Sequence, residues 1–200
     1  MKKRFKNVVK FFNYVRTNRI APISVKLKVL NTCVLTLLHN CETFGPSIPE
    51  GLEELYHKML RAALGVRSNC PTLLLLMESG CLPLNCLILS RQLNFFRRFK
   101  DSLQPNSCRV NIFSKLLENS STFLKHYTDL DTRYVDSVIL RDDHMQMLKD
   151  KITNFATNKE KHYKYWIYLK LNPELVSSSY LNRADRVGKC ITKFRLGTQT

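Results

Sequence analysis

Residues 26–64, KLKVLNTCVLTLLHNCETFGPSIPEGLEELYHKMLRAAL, decide the fold class. Leu27, Leu30, Val34, Leu37, Cys41 and Phe44 recur at alternating intervals of three and four, the period of one helical face. Ser24 stands where it can cap this helix, and Gly45-Pro46 ends it. A further helix is expected from about Pro49 to Leu64, buried along Leu52, Leu55, Met59 and Ala63. Glu50, Glu53 and Glu54 lie in its early turns and Lys58 and Arg61 near its end, which complements the helix dipole. Gly65 suits its C-terminal cap.

The pattern extends in both directions. Upstream, Phe5, Val8, Val9, Phe12 and Val15 form one apolar stripe between Lys2 and Arg19, and Ala21-Pro22 breaks it. Downstream, Pro71 opens a short apolar helix that stops at Ser79-Gly80. Pro83 starts another, through Leu84, Ile88, Phe95 and Phe99, with a basic Arg97-Arg98-Phe99-Lys100 tail. Val110, Phe113, Leu116 and Leu117 suggest one helix, Met145, Leu148, Ile152 and Phe155 another, and Val187, Ile191 and Phe194 a last one. The expectation is an all-α chain: a bundle of about five helices over 1–100, a linker with a partly ordered helix over 101–136, and a looser basic helical region over 137–200.

Charge is distributed unevenly. Lys and Arg number 32 against 16 Asp and Glu, for a net charge of +16. Lys2, Lys3, Arg4, Lys6, Lys10, Arg16, Arg19, Lys26 and Lys28 fall in residues 1–41, which contain no acid. The last fifty residues are basic again, and residues 101–150 carry more acid than base. Such ends suit a polyanion, and Arg61, Arg67, Arg97 and Arg98 extend the candidate nucleic-acid-binding set. The competing reading is a solvated surface. The seven cysteines are odd in number, sit mostly in apolar helical runs and follow no signal peptide, a reduced intracellular pattern of nucleus or cytoplasm. No apolar run reaches the roughly 20 residues of a membrane span, so no membrane partner is expected.

Catalytic chemistry finds little purchase. Asp142-Asp143 follows Leu140-Arg141, and two adjacent acids fall far below the ligand count of a two-metal site; they read as the acidic opening of the helix carrying Met145 and Leu148. Cys81 and Cys86 lack a second pair at zinc-finger spacing, and His39 and His57 read as buried or half-buried packing residues. No cofactor, metal site or autonomous enzyme is expected. Tyr163, Tyr165, Trp166 and Tyr168 alternate with Lys161, Lys164 and Lys170, a composition that could stack bases and neutralise phosphates. Tyr163, Trp166, Ile167 and Lys170 share one helical face, however, and burial of that face is the preferred reading.

Order and spacing then supply a resemblance. Lys26-Leu27-Lys28 running to Cys41-Glu42-Thr43-Phe44-Gly45, followed by Leu52-Glu53 to Leu60-Arg61 and Leu64-Gly65, resembles the region behind the polymerase core of non-LTR (LINE-type) retrotransposon reverse transcriptases. MESGCLPL (77–84) resembles that family's Glu-x-Gly-x-x-Pro-Leu stop, and ITKFRLGTQT (191–200) a C-terminal helix of the same proteins. Phe44 stands where Trp is usual, and His39-Asn40 where an aromatic-Gly pair is more common. The resemblance implies thumb-like helices over 1–100, the palm and fingers of an RNA-directed DNA polymerase before Met1, and a sequence-tolerant grip on RNA or a DNA–RNA duplex. Apolar stripes that would pack on the missing palm favour self-association. The alternative is a helical protein–protein interaction module with a basic surface, a remnant of such an element.

Overall fold

A computed structural model describes residues 2–39, 41, 51–101, 129, 132–133, 137–176, 181 and 186–196. Among them are eight helices and no strand, as expected of an all-α chain. The helices are α1 (Lys2–Thr17), α2 (Ile23–Leu37), α3 (Leu52–Leu64), α4 (Thr72–Ser79), α5 (Leu84–Asp101), α6 (Ser137–Thr157), α7 (Tyr163–Leu171) and α8 (Arg186–Arg195). The helix expected around Val110 to Leu117 lies outside the described residues, as do Phe44 and the Gly45-Pro46 stop.

Compactness does not follow chain order. One unit gathers Met1–Leu38, Gly51–Leu82 and Met145–Thr200; the other gathers His39–Glu50 and Pro83–His144. In the first unit α1 packs on α2 and α3, α2 on α3, and α3 on α4. Leu30, Met59, Leu60, Leu74 and Leu75 are wholly buried there. In the second, Leu84, Cys86, Ile88, Leu93 and Leu140 are buried, and Gln92 Nε2 donates to the Cys41 carbonyl at 3.3 Å.

Helix ends obey backbone chemistry more closely than side-chain capping. Ser24 does not cap α2: the helix starts at Ile23 behind Pro22, whose fixed φ of −54° leads into it. The second helix ends at Leu37, well before Phe44. The third starts at Leu52 behind Gly51, not at Pro49. Gly65 (φ 68°) and Gly80 (φ 64°) close α3 and α4 in the left-handed conformation that a Cβ would penalise. There Val66 N–H donates back to the Arg61 carbonyl and Cys81 N–H to the Leu76 carbonyl, satisfying otherwise orphaned acceptors.

Several buried faces are rotated from the expected stripe. In α1, Val8 and Phe11 are buried and Val9 is exposed, so Phe11 replaces Val9 in the core; the side chain of Phe5 lies outside the described set. Packing on two helices at once wraps the buried face around toward Phe11. The core face of α3 widens to Tyr56, Leu60 and Leu64, leaving Leu52 and Leu55 half-buried. In α6 the buried row is Leu140, His144, Leu148, Ile152 and Ala156, at strict intervals of four, and Phe155 is exposed. In α8 Thr192 is buried and Phe194 is exposed, and Leu196, just past its end, is buried.

A polar knot ties the C-terminal helices to α4. Glu78 is 0% exposed. The Tyr168 hydroxyl of α7 donates to its Oε2 at 2.8 Å, and Arg195 Nη2 of α8 lies 3.3 Å from the same oxygen. Asn172 Nδ2 in turn donates to the Tyr168 oxygen at 3.1 Å and to the Val176 carbonyl at 2.9 Å. Burial pushes the Glu78 carboxyl above its usual range, against the opposing pull of Arg195 and the Tyr168 hydroxyl. Its Oε1 has no hydrogen-bond partner among the described residues.

Leu30→Ala is expected to cost roughly 2–5 kcal/mol in urea unfolding, because a wholly buried leucine leaves a cavity. Arg195→Met strands a buried carboxylate and is expected to cost about 3 kcal/mol, part of which Glu78→Gln in the same chain should restore. Since the folded pKa of Glu78 is raised, its contribution to stability is full below the ordinary carboxylate range and is lost as pH rises through the raised value. Unfolding midpoints measured from about pH 4 to about pH 8 should show this decline, and Glu78→Gln should flatten it.

Candidate nucleic-acid interface

The N-terminal helices supply a basic surface. Lys6, Lys10 and Arg16 of α1, Arg19 in the following turn and Lys28 of α2 are exposed. No acidic residue occurs anywhere in α1 or α2. The two helices hold register through their packing and through Asn7 Nδ2, which donates to Thr36 Oγ1 at 3.2 Å. Lys2, Lys3 and Arg4 belong to α1, but their side chains lie outside the described set.

Two of the expected binding residues serve the fold instead. Lys26 is 4% exposed, its stem in the core and its ammonium 3.5 Å from the Arg19 carbonyl, where it fastens the turn between α1 and α2. Arg61 is half-buried; its Nη2 donates to the Cys70 carbonyl at 3.3 Å and to Thr72 Oγ1 at 3.4 Å, tying α3 to the start of α4. Both sit on the inward faces of their helices, which composition does not reveal. Arg67 is exposed in the first unit. In the second unit Arg98 is exposed and Arg97 half-buried.

The aromatic cluster meets the preferred burial reading only in part. On α7 it is Tyr168, with Lys164 and Tyr165 beside it, that turns inward. Tyr163 is 54% exposed, Trp166 and Ile167 are half-buried and Lys170 is exposed. The face shared by Tyr163, Trp166, Ile167 and Lys170 is therefore open to solvent at Tyr163 and Lys170 and half-buried at Trp166 and Ile167, and the fully buried position of α7 is Tyr168, whose hydroxyl finds its partner in Glu78. The rings of Tyr163 and Trp166 are stacked, with centroids 5.9 Å apart and planes at 20°. Lys159 Nζ and Lys170 Nζ lie 4.4 and 4.6 Å from the Trp166 centroid, within cation–π range. Beside them Phe155, His162 and Tyr165 make a second set of ring contacts, at 4.7 to 5.9 Å. Lys164 Nζ donates to the Asn69 carbonyl at 2.9 Å, fixing α7 to the loop before α4.

The remaining candidates are structural in placement. Asp142 and Asp143 are exposed within α6, which opens at Ser137 rather than at the acidic pair. Among the described residues no three His, Cys, Asp or Glu side chains converge. Cys81 and Cys86 are both buried free thiols; burial pushes Cys86 up to about 11 and Cys70 up to about 12. Protonated at neutral pH, they pack as small hydrophobes. His57 is half-buried, and desolvation lowers its pKa so that it stays neutral at pH 7. His39 is exposed, against the packing role expected for it.

Glu78, Tyr168, Asn172 and Arg195 do not stand out as a set in the sequence. One signal is present: Glu78 is the only charged residue of α4, TLLLLMES, and a lone carboxylate in an apolar helix requires a buried donor. No helix among the described residues is by itself long and apolar enough to cross a membrane. Comparison with protein-family models, with characterised proteins and with solved structures finds no match to this chain.

Proposed function

We propose that this chain is a non-catalytic part of a retrotransposon-type RNA-directed DNA polymerase, which holds template–primer nucleic acid through its basic N-terminal helices. The observation that carries the proposal is the exposed set Lys6, Lys10, Arg16, Arg19 and Lys28 on two helices and their connecting turn, none of which contains an acid. Such a surface neutralises phosphates without reading bases, which gives affinity and register but not sequence preference. The succession in the sequence of Lys26–Gly45, Leu52–Gly65, MESGCLPL and ITKFRLGTQT, with its resemblance to the region behind the polymerase core, supplies the parent class. Positioning a duplex needs no nucleophile or metal, and the grip is the whole of the role assigned to this chain.

A second reading is a helical protein-interaction module with a basic surface. It draws on Val9, Ile20, Val25 and Leu35, large apolar side chains exposed on α1, α2 and their connecting turn.

Salt dependence separates the two. Binding of an RNA–DNA duplex is expected to weaken linearly in log Kd against log salt. The combined substitutions Lys6→Gln, Lys10→Gln and Lys28→Gln should reduce that slope by roughly 0.9 for each phosphate that is no longer neutralised. An unchanged slope would favour the interaction module. Primer extension with magnesium or manganese should be absent. Extension that Asp142→Asn and Asp143→Asn abolish would overturn the non-catalytic reading.

A further inference from the structure

We propose that the Tyr163–Trp166 stack is a docking platform for an unpaired base of single-stranded RNA or DNA, with Lys159, Lys161 and Lys170 meeting the adjoining phosphates. The proposal rests on the nucleic-acid reading and deepens it, since it concerns a different surface and a different form of the polymer from the α1–α2 duplex grip.

The geometry carries it in three steps. First, α7 is keyed from its inner side by Tyr168 on Glu78, by Asn172 on Tyr168 and by Lys164 on Asn69, so its outward face is held in a defined rotation. Second, that face presents aromatic surface to water in a fixed stack. The Tyr163 ring lies nearly parallel to Trp166 and is 54% exposed. Two ammonium groups approach the indole, and the tyrosine ring is the more exposed member of the stack. Third, the surroundings are cationic. Lys159, Lys161 and Lys170 lie near the stack in sequence or in space, Glu160 is the single acid of residues 159–170, and Lys164 is committed to the inner side.

An exposed ring flanked by cations matches a planar base on a polyanionic backbone, because every base offers a π-face and every nucleotide a phosphate. A paired base inside a duplex has both faces covered by its neighbours. Away from a duplex end, only an unpaired base can complete this stack, so the platform favours single strands, whereas the phosphate-binding surface of α1 and α2 tolerates duplex.

Trp166 is the only tryptophan of the chain, so its emission reports this site directly. A short oligothymidylate titrated into the full chain should quench that emission saturably. An abasic strand of equal length and the corresponding duplex should quench little. Tyr163→Ala should weaken single-strand binding by roughly five- to 150-fold and leave duplex binding within about twofold, while Tyr163→Phe keeps near-native affinity for both. Circular dichroism of each variant checks that the helices persist, as an exposed ring should permit.

Oligothymidylate binding with a silent Trp166, or unchanged single-strand affinity in Tyr163→Ala, would overturn the proposal. So would an emission change with anionic phospholipid vesicles and none with oligonucleotide, which would assign the platform to a membrane surface. Salt-dependent duplex binding with a silent Trp166 would end this inference alone and leave the α1–α2 grip standing. Absence of all nucleic-acid binding would end both.

Discussion

Glu78 carries a carboxylate with no access to water, and it is the only charge in a helix otherwise built of leucines, methionine and small polar residues. Burying such a group costs several kcal/mol unless donors reach it. The donors come from outside α4: from Tyr168, 90 residues later, and from Arg195 near the end of α8. The first compact unit includes Met145–Thr200 along with the N-terminal helices, and the bonds to Glu78 are a direct link between those two stretches of the chain. Two segments that stand out separately in the sequence, MESGCLPL and ITKFRLG, become partners in one ion pair.

The same knot governs the surface. Once the Tyr168 hydroxyl is committed to Glu78, the rotation of α7 is set, and Tyr163 and Trp166 fall on the opposite side. A helix whose aromatic residues all lie close together in sequence thus divides them between core and solvent. Asn172 strengthens the arrangement by donating to the tyrosine oxygen and bracing the loop behind it, where buried Leu175 takes a positive φ of 49°. That uncommon backbone conformation is tolerated because the side chain gains burial and Leu175 N–H donates to the Asn172 carbonyl.

On the N-terminal helices the logic is one of sorting. Leucine and valine claim the interior, and most of the described cations are left at the surface with no acid on either helix to neutralise them. Lys26 and, on α3, Arg61 are the informative exceptions. Each directs its charge at backbone carbonyls at a connection between helices, holding a turn in place rather than facing a partner. Basic residues in one chain thus divide into those that build the scaffold and those that the scaffold displays.

The sequence by itself determined the helical class, the stops at Gly65 and Gly80, the apolar face of α2 and the acid-free character of its basic end. These follow from local physics: a 3.6-residue period, the left-handed conformation open to glycine, and formal charge. It did not determine which side of α1, α7 or α8 is buried, that Phe11 and not Val9 enters the core, or that Lys26 turns inward. Helical periodicity defines a face only to within a residue or two, and the neighbours that select among adjacent faces are distant in the chain. For α7 that neighbour is a carboxylate on α4, so only the tertiary structure could decide that Tyr168 is core and Tyr163 is surface: the hydrogen bond that orients the helix joins residues that no local pattern relates.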